Sequence, residues 1–338
     1  MRLGYAVKTL GGGGLPSHDA RRWQSEPHLR VSIEYLRAVF AHLAEMEIGM
    51  YRFSPALAPY ATHPDMPQLR RQVHDCAAGL AELGRMAAGQ GLRLSCHPSQ
   101  YIVLNSAEER VRRAAAADLE LQGELFEAMA LGPEAVVVIH VGGAPDGLRA
   151  GMERFMSGWE LLSERARARV VLENDDRTYG LADVLAISAR SGVRVVWDIL
   201  HHHCHDAAGI PDREALELAL ATWPDGVRPK IHFSSPLTQV QQASRRVGRR
   251  VQRRTVMPQA RVHADLVDPV SFELFLRHTA AGLDFDVMLE AKAKDLAVLR
   301  LREQLRARGL EIDRPPAQGD AGAGTQPAGK APAGISPV

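Results

Sequence analysis

The sequence predicts an α/β fold, a (β/α)8 TIM barrel with a metal cluster at its C-terminal mouth, from three observations. Eight short apolar runs recur along the chain, stretches with helical spacing separate most of them, and six of the runs end in His, Asp or Glu. In such a barrel the C-terminal ends of the strands meet at one mouth, which carries the chemistry. A stable core alone would not require ionisable residues at the C-terminal ends of so many predicted strands.

Taken in order, the predicted strands cover residues 2–7, 49–54, 93–98, 135–142, 169–175, 194–199, 229–235 and 286–292. Several are nearly continuous Val, Ile and Leu, which is typical of parallel strands buried on both faces. Apolar residues at helical spacing predict helices over residues 29–47, 69–89, 107–131, 148–167 and 181–191.

The length of 338 residues and the 46% hydrophobic content suit one large barrel domain, predicted to cover residues 1–313. From Arg314 the chain is mostly Pro, Gly and Ala, so residues 314–338 are predicted to be a disordered tail. The net charge of +1 indicates neither a nucleic acid nor a membrane partner, and any such partner must meet a local patch.

The cysteines and the first residues of the chain predict a cytoplasmic protein. Cys76, Cys96 and Cys204 lack CxxC spacing, which indicates reduced thiols. The chain starts without a signal-peptide pattern, and no apolar run approaches the ~20 residues of a membrane span.

The strand-end residues predict a shared polar site and consist of His97, His140, Glu173, Asp198, His232 and Glu290. Because side chains alternate along a strand, Lys230 shares a face with His232, and His201 lies one turn after Asp198. So many inward polar groups would not be left unpaired in a desolvated site, so we expect metal ions there. The imidazole and carboxylate donors are compatible with Mn²⁺, Zn²⁺ or Co²⁺ and argue against a structural Cys-type zinc site.

A second feature of the sequence is a segment rich in arginine. Six arginines recur with a spacing of four residues and predict one stripe along a helix: Arg245, Arg246, Arg249, Arg250, Arg253 and Arg254. They could be a solvated helix surface, but in a nearly neutral chain such a stripe favours contact with DNA phosphates.

Seven motifs in order resemble the UV damage endonuclease family, a barrel family related in architecture to apurinic endonuclease IV. The motifs are His97-Pro-Ser-Gln-Tyr101, His140-Val-Gly-Gly143, Leu172-Glu-Asn-Asp-Asp176, Asp198-Ile-Leu-His-His202, Lys230-Ile-His-Phe-Ser-Ser235, His263-Ala-Asp265 and Met288-Leu-Glu-Ala-Lys292. The resemblance implies a metal-dependent DNA repair endonuclease, a phosphodiester hydrolase that nicks 5′ to pyrimidine dimers and some other lesions.

The resemblance also implies roles for individual residues. Two to three divalent ions are expected, with Mn²⁺ favoured, and the ligands carried over are His97, His140, Glu173, Asp198, His201, His232, His263 and Glu290. Lys230 occupies the position of a carboxylated lysine that bridges two ions, although an ordinary salt-bridged or phosphate-binding lysine also fits. Glu173, Glu290 and Lys230 are the candidate catalytic residues.

Lesion recognition maps to Gln100 and Tyr101, which would wedge into the weakened base stack, and to Tyr5 near the lesion pocket. Tyr101 could instead be a packing aromatic. Lys8 is a further candidate for phosphate contact. Thr9 stands where the family often has Asn.

Two rival functions remain open from the sequence. One is a xylose-isomerase-like sugar isomerase or epimerase, which shares a barrel with His and carboxylate ligands. The other is a non-catalytic DNA-damage-binding module. We expect damaged double-stranded DNA as the partner, no membrane, no obligate protein partner, and a cytoplasmic, nucleoid-associated location.

Overall fold

The structure, a computed structural model, describes residues 1–247 and 250–312. The predicted tail, residues 314–338, lies outside these ranges. All eight predicted strands are confirmed, and two more strands form a separate hairpin. In chain order the strands are β1 (Leu3–Ala6), β2 (Met50–Phe53), β3 (Arg93–Cys96), β4 (Val136–Ile139), β5 (Val170–Glu173), β6 (Arg194–Val196), β7 (Lys230–Phe233), β8 (Gln241–Val247), β9 (Arg250–Val256) and β10 (Asp286–Leu289).

The eight core strands form a parallel sheet in the order β6-β5-β4-β3-β2-β1-β10-β7. The sheet curls until its two ends meet, where a parallel bridge joins Asp198 to His232. There the backbone N–H of His232 donates to the carbonyl of Trp197 at 2.9 Å. This closure makes the sheet a TIM barrel, as the sequence predicts.

Helices follow most strands and pack outside the barrel, since their apolar faces must be covered. They are α1 (Leu29–Glu45), α2 (Gln72–Asp75), α3 (Ala77–Gly89), α4 (Glu109–Ala128), α5 (Leu148–Trp159), α6 (Glu164–Arg167), α7 (Leu181–Ser191), α8 (Ile199–Cys204), α9 (Asp212–Leu220), α10 (Pro269–Leu274) and α11 (Lys294–Ala307). Short 3-10 turns cover Trp23–Ser25 and Pro67–Leu69, and a π-helical turn covers Phe275–Thr279. No helix in the described ranges has the length and apolar content of a membrane span.

Two of the predicted helices are interrupted. The first, predicted over residues 69–89, breaks at Cys76 between α2 and α3. The second, predicted over residues 148–167, breaks before Ser163, whose hydroxyl caps α6 by accepting from the N–H of Ala166. A serine at this position competes with helix continuation because its side chain bonds the backbone.

Asp286 ties together the end of the barrel opposite the mouth. Its carboxylate accepts from Arg93 at 2.9 Å and from Arg2 at 3.0 Å, and Arg228 lies 3.1 Å away. Burial alone would raise the pKa of Asp286, but the charges and hydrogen bonds of Arg93 and Arg2 together outweigh it and lower that pKa. The Arg93 guanidinium also lies over the ring of Trp223 at 5.6 Å. This end therefore serves stability and leaves the mouth for chemistry.

The predicted arginine helix is wrong, because β8 and β9 pair as an antiparallel hairpin. The same four-residue spacing that suggested a helix would stack like charges one turn apart, which destabilises a helix, and Gly248 would add a further penalty at its centre. The arginines instead fall in the two strands: Arg245, Arg246, Arg250, Arg253 and Arg254, while Arg249 lies outside the described residues.

Candidate metal centre at the barrel mouth

The parallel strands bring the six strand-end residues to one mouth. His97 and His140 directly follow β3 and β4, and Glu173 is the last residue of β5. The other three also lie at strand ends, on β7, after β6 and after β10: His232, Asp198 and Glu290. All six side chains are buried or half-buried.

Glu173 lies at the centre of this cluster. One oxygen, Oε2, is 3.0 Å from His97 Nε2 and 3.6 Å from His140 Nε2. The other, Oε1, is 2.9 Å from His232 Nδ1 and 3.4 Å from His201 Nδ1. One buried carboxylate therefore faces four imidazoles.

Glu290 forms the second centre. Its oxygens lie 3.4 Å from His232 Nδ1 and 3.6 Å from His263 Nδ1. Two groups of donor atoms, each within 4.8 Å of one another, can be drawn in the described residues. The first is His97, His140 and Glu173, and the second is Glu173, Asp198, His232 and Glu290. Glu173 belongs to both groups.

Buried donor atoms without a partner test whether this cluster fits metal ions. Within the described ranges, Asp198 Oδ2 is buried without a hydrogen bond, and so are His232 Nε2 and His140 Nδ1, the ring nitrogens opposite those that face Glu173. Buried polar atoms nearly always have a partner, so these atoms call for one. Oxygen and imidazole nitrogen are suitable ligands for Mn²⁺, Zn²⁺ or Co²⁺. The residues therefore fit a divalent metal centre.

The charges of the cluster shift its pKa values strongly. Burial would raise the pKa of Glu173, but His232 and His140 outweigh it and hold that pKa well below the usual range. Burial would likewise lower the pKa of His201, but Asp198 and Glu173 outweigh it and raise that pKa to about 11. Burial lowers the pKa of His232 to about 4. The cluster thus keeps Glu173 anionic and His232 neutral, which are the forms that bind metal. Burial raises the pKa of Asp198 to about 6, and the protonated His201 would have to lose its proton to bind an ion.

Lys230 lies fully buried below the cluster, with Nζ 3.4 Å from Ser95 Oγ. Burial, together with the nearby guanidinium groups of Arg52 and Arg93, holds the pKa of Lys230 well below its usual range. The lowered pKa favours the neutral amine, which is the nucleophilic form.

Three further residues at the mouth were not found from the sequence. Arg52, on β2, donates to Glu290 Oε1. Asn174 exchanges two hydrogen bonds with the backbone of Asp198, at 2.9 and 3.0 Å, and so fixes where that carboxylate lies. Arg261 lies close to the same rim, 3.6 Å from Asp176. A lone Arg inside the apolar run of β2 was the available signal for Arg52.

A basic cavity of about 330 Å³ opens beside the cluster. Its walls include Arg52, Arg261, His263, Glu290, Ala291, Lys292 and Lys294. Four cationic side chains thus surround one carboxylate, which leaves an excess of positive charge for an anion.

The remaining predicted residues take different positions. Gln100 and Tyr101 lie in the turn after β3, and Tyr101 is 76% exposed. Tyr5 is fully buried, with its hydroxyl 2.7 Å from Thr9 Oγ1, so its role at a lesion stays a prediction. Lys8 is exposed.

The other histidines of the 201–205 run face away from the cluster. His202 Nε2 contacts the carbonyl of Ile210 at 2.8 Å, and His203 Nε2 contacts Asp212 at 2.9 Å. Cys204 belongs to neither donor group.

Comparison with known proteins gives consistent matches over most of the chain. The model of the family described as UV-endonuclease UvdE matches residues 29–315. The protein named UV DNA damage endonuclease from Bacillus pumilus (strain SAFR-032) is 35% identical over 282 residues, which cover 81% of this chain and 80% of that protein. Its namesake from Bacillus mycoides (strain KBAB4) is 31% identical over 287 residues, 84% of this chain and 83% of that protein.

Solved structures agree. The crystal structure of SacUVDE superimposes with a TM-score of 0.75 at 27% identity and covers 91% of this chain and 99% of that one. A D-tagatose 3-epimerase-like protein superimposes with a TM-score of 0.53 at 15% identity, over 91% of this chain and 96% of that one. The second likeness shows a shared fold alone.

Neighbouring histidines allow a matched test of the metal centre. We expect added Mn²⁺ to raise the melting temperature of the protein, since a ligand at 100 times its Kd stabilises by about 2.7 kcal/mol. His201→Gln should lose this shift and the bound metal, because His201 faces Glu173. His203→Gln, whose partner Asp212 lies outside the cluster, should keep both. Calorimetry and elemental analysis measure the two effects, and equal metal content in the two variants would contradict the assignment of His201.

Proposed function

The chain belongs to the UV-endonuclease UvdE family, whose members are DNA repair endonucleases, and on that premise we propose that it is a metal-dependent nuclease for UV-damaged duplex DNA. We propose that it cuts the phosphodiester on the 5′ side of pyrimidine dimers and of some other lesions. The observation that carries the proposal is the carboxylate–imidazole cluster next to a cavity with cationic walls. We propose that it acts on chromosomal DNA in the cytoplasm.

We propose that two to three divalent ions, with Mn²⁺ favoured, are held by eight residues: His97, His140, Glu173, Asp198, His201, His232, His263 and Glu290. When bound, such ions activate water and polarise a phosphodiester as Lewis acids. Glu173 belongs to both donor groups and would be able to hold an ion in either one. Asn174 supports the site by fixing Asp198, and no side chain needs to act as the nucleophile.

The basic cavity is the proposed seat of the scissile phosphate. Arg52, Arg261, Lys292 and Lys294 can neutralise its charge, and they would hold it next to Glu290. Fixed cations around a transferring phosphate stabilise the charge that develops in the transition state. Arg52 also restrains the Glu290 carboxylate, so the same guanidinium orders both the ligand and the substrate side of the cavity.

Lys230 is proposed to be carboxylated. Its neutral amine would attack the carbon of CO₂ to form a carbamate anion, with release of one proton. A carbamate would supply two oxygen ligands where the ammonium form supplies none. Its position below the cluster and its depressed pKa support this role, and Glu173, Glu290 and modified Lys230 together are the proposed catalytic groups.

Gln100 and Tyr101 are the proposed wedge at the lesion, since an exposed aromatic ring on a loop at the mouth suits insertion into a weakened stack. Tyr5 is proposed to lie near the lesion pocket. Proposed phosphate contacts are Lys8, Arg245, Arg246, Arg249, Arg250, Arg253 and Arg254. Damaged double-stranded DNA is the proposed partner, without an obligate protein partner, and residues 1–313 are the proposed nuclease domain.

The proposed reaction is tested on a duplex with one pyrimidine dimer. We expect incision 5′ to the dimer with Mn²⁺ and none with a chelator, and we expect Glu173→Gln to abolish incision because both donor groups lose a ligand. His203→Gln is the control and should incise normally.

The two rival functions predict other outcomes with the same protein. Damage-specific binding without incision under any divalent ion would support a non-catalytic module. Exchange between an aldose and a ketose would support a sugar isomerase, to which the chain is linked by fold alone.

The wedge is tested by ring removal with the ring-retaining variant as control. Tyr101→Ala should weaken the preference for damaged over intact duplex by about 1–3 kcal/mol, because one base–aromatic stack is lost. Tyr101→Phe keeps the ring and should keep most of the preference. Titrations of both duplexes by fluorescence anisotropy measure the two affinities. If Tyr101→Ala lowers both affinities equally, Tyr101 does not read the lesion.

Carboxylation of Lys230 has a spectroscopic signature. In buffer with carbon-13 bicarbonate, the protein should show a carbamate carbon resonance, and Lys230→Met should not. We expect the resonance to fade at low pH, since protonation of the amine drives loss of CO₂. Absence of the resonance in protein loaded with diamagnetic Zn²⁺ would leave Lys230 as an unmodified buried amine.

A further inference from the structure

The hairpin of β8 and β9, named here the arginine ribbon (residues 241–256), is exposed over almost all the side chains that the structure describes in it. Every side chain described in it is exposed except that of Val256, which is half-buried. The segment holds six arginines and no acidic residue. Val251, near its tip, is 62% exposed. An isolated two-stranded hairpin is only marginally stable in water, and here like charges add repulsion. The ribbon therefore suits a polyanionic partner.

The base of the ribbon is fixed to the rim of the mouth. The N–H of Leu237 donates to the carbonyl of Val262, and that of Ala264 donates to the carbonyl of Ser235 at 2.8 Å. Between these bonds, Pro236 pairs with His263. His263 thus lies on the chain that returns from the ribbon, where it pairs with the chain that leaves β7. DNA seated at the metal centre would meet the ribbon at its base.

The strand register distributes the arginines over both faces. Arg253 pairs with Ser244, and Arg246 pairs with Val251, so these arginines share one face. Arg254, which pairs with Ala243, lies on the other face because side chains alternate along a strand. A ribbon lying flat on one DNA backbone would need arginines on one face only. Arginines on both faces suit a ribbon enclosed between two phosphate backbones.

We propose that the arginine ribbon inserts lengthwise into the major groove of the duplex that flanks the lesion. The major groove, about 12 Å wide, admits a two-stranded ribbon, whereas the minor groove, about 6 Å wide, does not unless it is opened. Seven residues at about 3.3 Å span roughly 23 Å, or about seven base pairs. In this arrangement the ribbon binds and orients undamaged duplex, while the barrel mouth binds the lesion. This inference rests on the proposed nuclease function and deepens it.

Methylation by dimethyl sulfate tests the groove directly, since the reagent attacks guanine N7 in the major groove and adenine N3 in the minor groove. The footprint is taken with a chelator present, so that it reads binding without cleavage. We expect protection of guanine N7 over about seven base pairs on one side of the lesion. Protection of adenine N3 alone would overturn the major-groove assignment. Equal reactivity of free and bound flanking DNA would overturn the ribbon contact altogether.

Adjacent arginines allow the two faces to be tested separately. Arg253→Gln and Arg254→Gln remove one charge each from opposite faces, and each should flatten the dependence of log Kd on log salt by about 0.9 unit. The double variant should flatten it by about twice as much and lose the N7 protection. The matched control is Arg85→Gln with Arg306→Gln, two exposed arginines on the outer helices α3 and α11, which should change neither measurement. An effect of only one single variant would favour a ribbon lying on one backbone and overturn insertion.

The outcomes separate this inference from the proposed function. Wild-type protein that protects N7 but incises no DNA with any divalent ion would refute the nuclease and leave the ribbon contact in place. Wild-type protein that incises at the dimer without flanking N7 protection would refute the ribbon and leave the nuclease in place.

Discussion

The barrel depends on one seam. Between β6 and β7 the sheet closes through a single bridge, and the two bridged residues, Asp198 and His232, are themselves candidate metal ligands. Each residue also has a buried polar atom without a hydrogen-bond partner among the described residues, so both sides of the seam carry a donor atom that could bind a cation. A cation shared across it would join the first strand of the sheet order to the last. The contact that closes the barrel therefore also brings two of the candidate ligands together.

The parts that the sequence predicted well are those set by local pattern. A parallel strand buried on both faces is a continuous apolar run, and its end lies at the mouth, so the sequence could predict both the strands and the strand-end positions of candidate ligands such as His97 and Glu290. His201 and His263 depended on more than spacing. His263 comes from the return arm of the ribbon, and its place near Glu290 could be expected only from the family resemblance.

The parts that the sequence did not predict depend on contacts between distant segments. The basic cavity combines β2 with residues 261 and 292–294, a grouping that no periodicity reveals. The spacing of the arginines in the ribbon fits a helix as well as two strands. Gly248 and the repulsion between like charges one turn apart disfavour the helix, and the four-residue spacing does not reveal either effect. Tyr5 was placed correctly on a strand, but the side of the strand that it faces was set by packing against Tyr51, 5.3 Å away.

The Arg93–Asp286 ion pair, which closes the far end of the barrel, also limits the access of small molecules to Lys230. Both side chains have no solvent exposure, and Asp286 pairs in register with Lys230, so the amine of Lys230 has no route to bulk water from below. If Lys230 is carboxylated as proposed, carbon dioxide and protons would have to pass the candidate metal cluster at the mouth to reach it. DNA bound over the mouth would then close that path, and the chemical state of Lys230 would be fixed from the arrival of the substrate until the departure of the product.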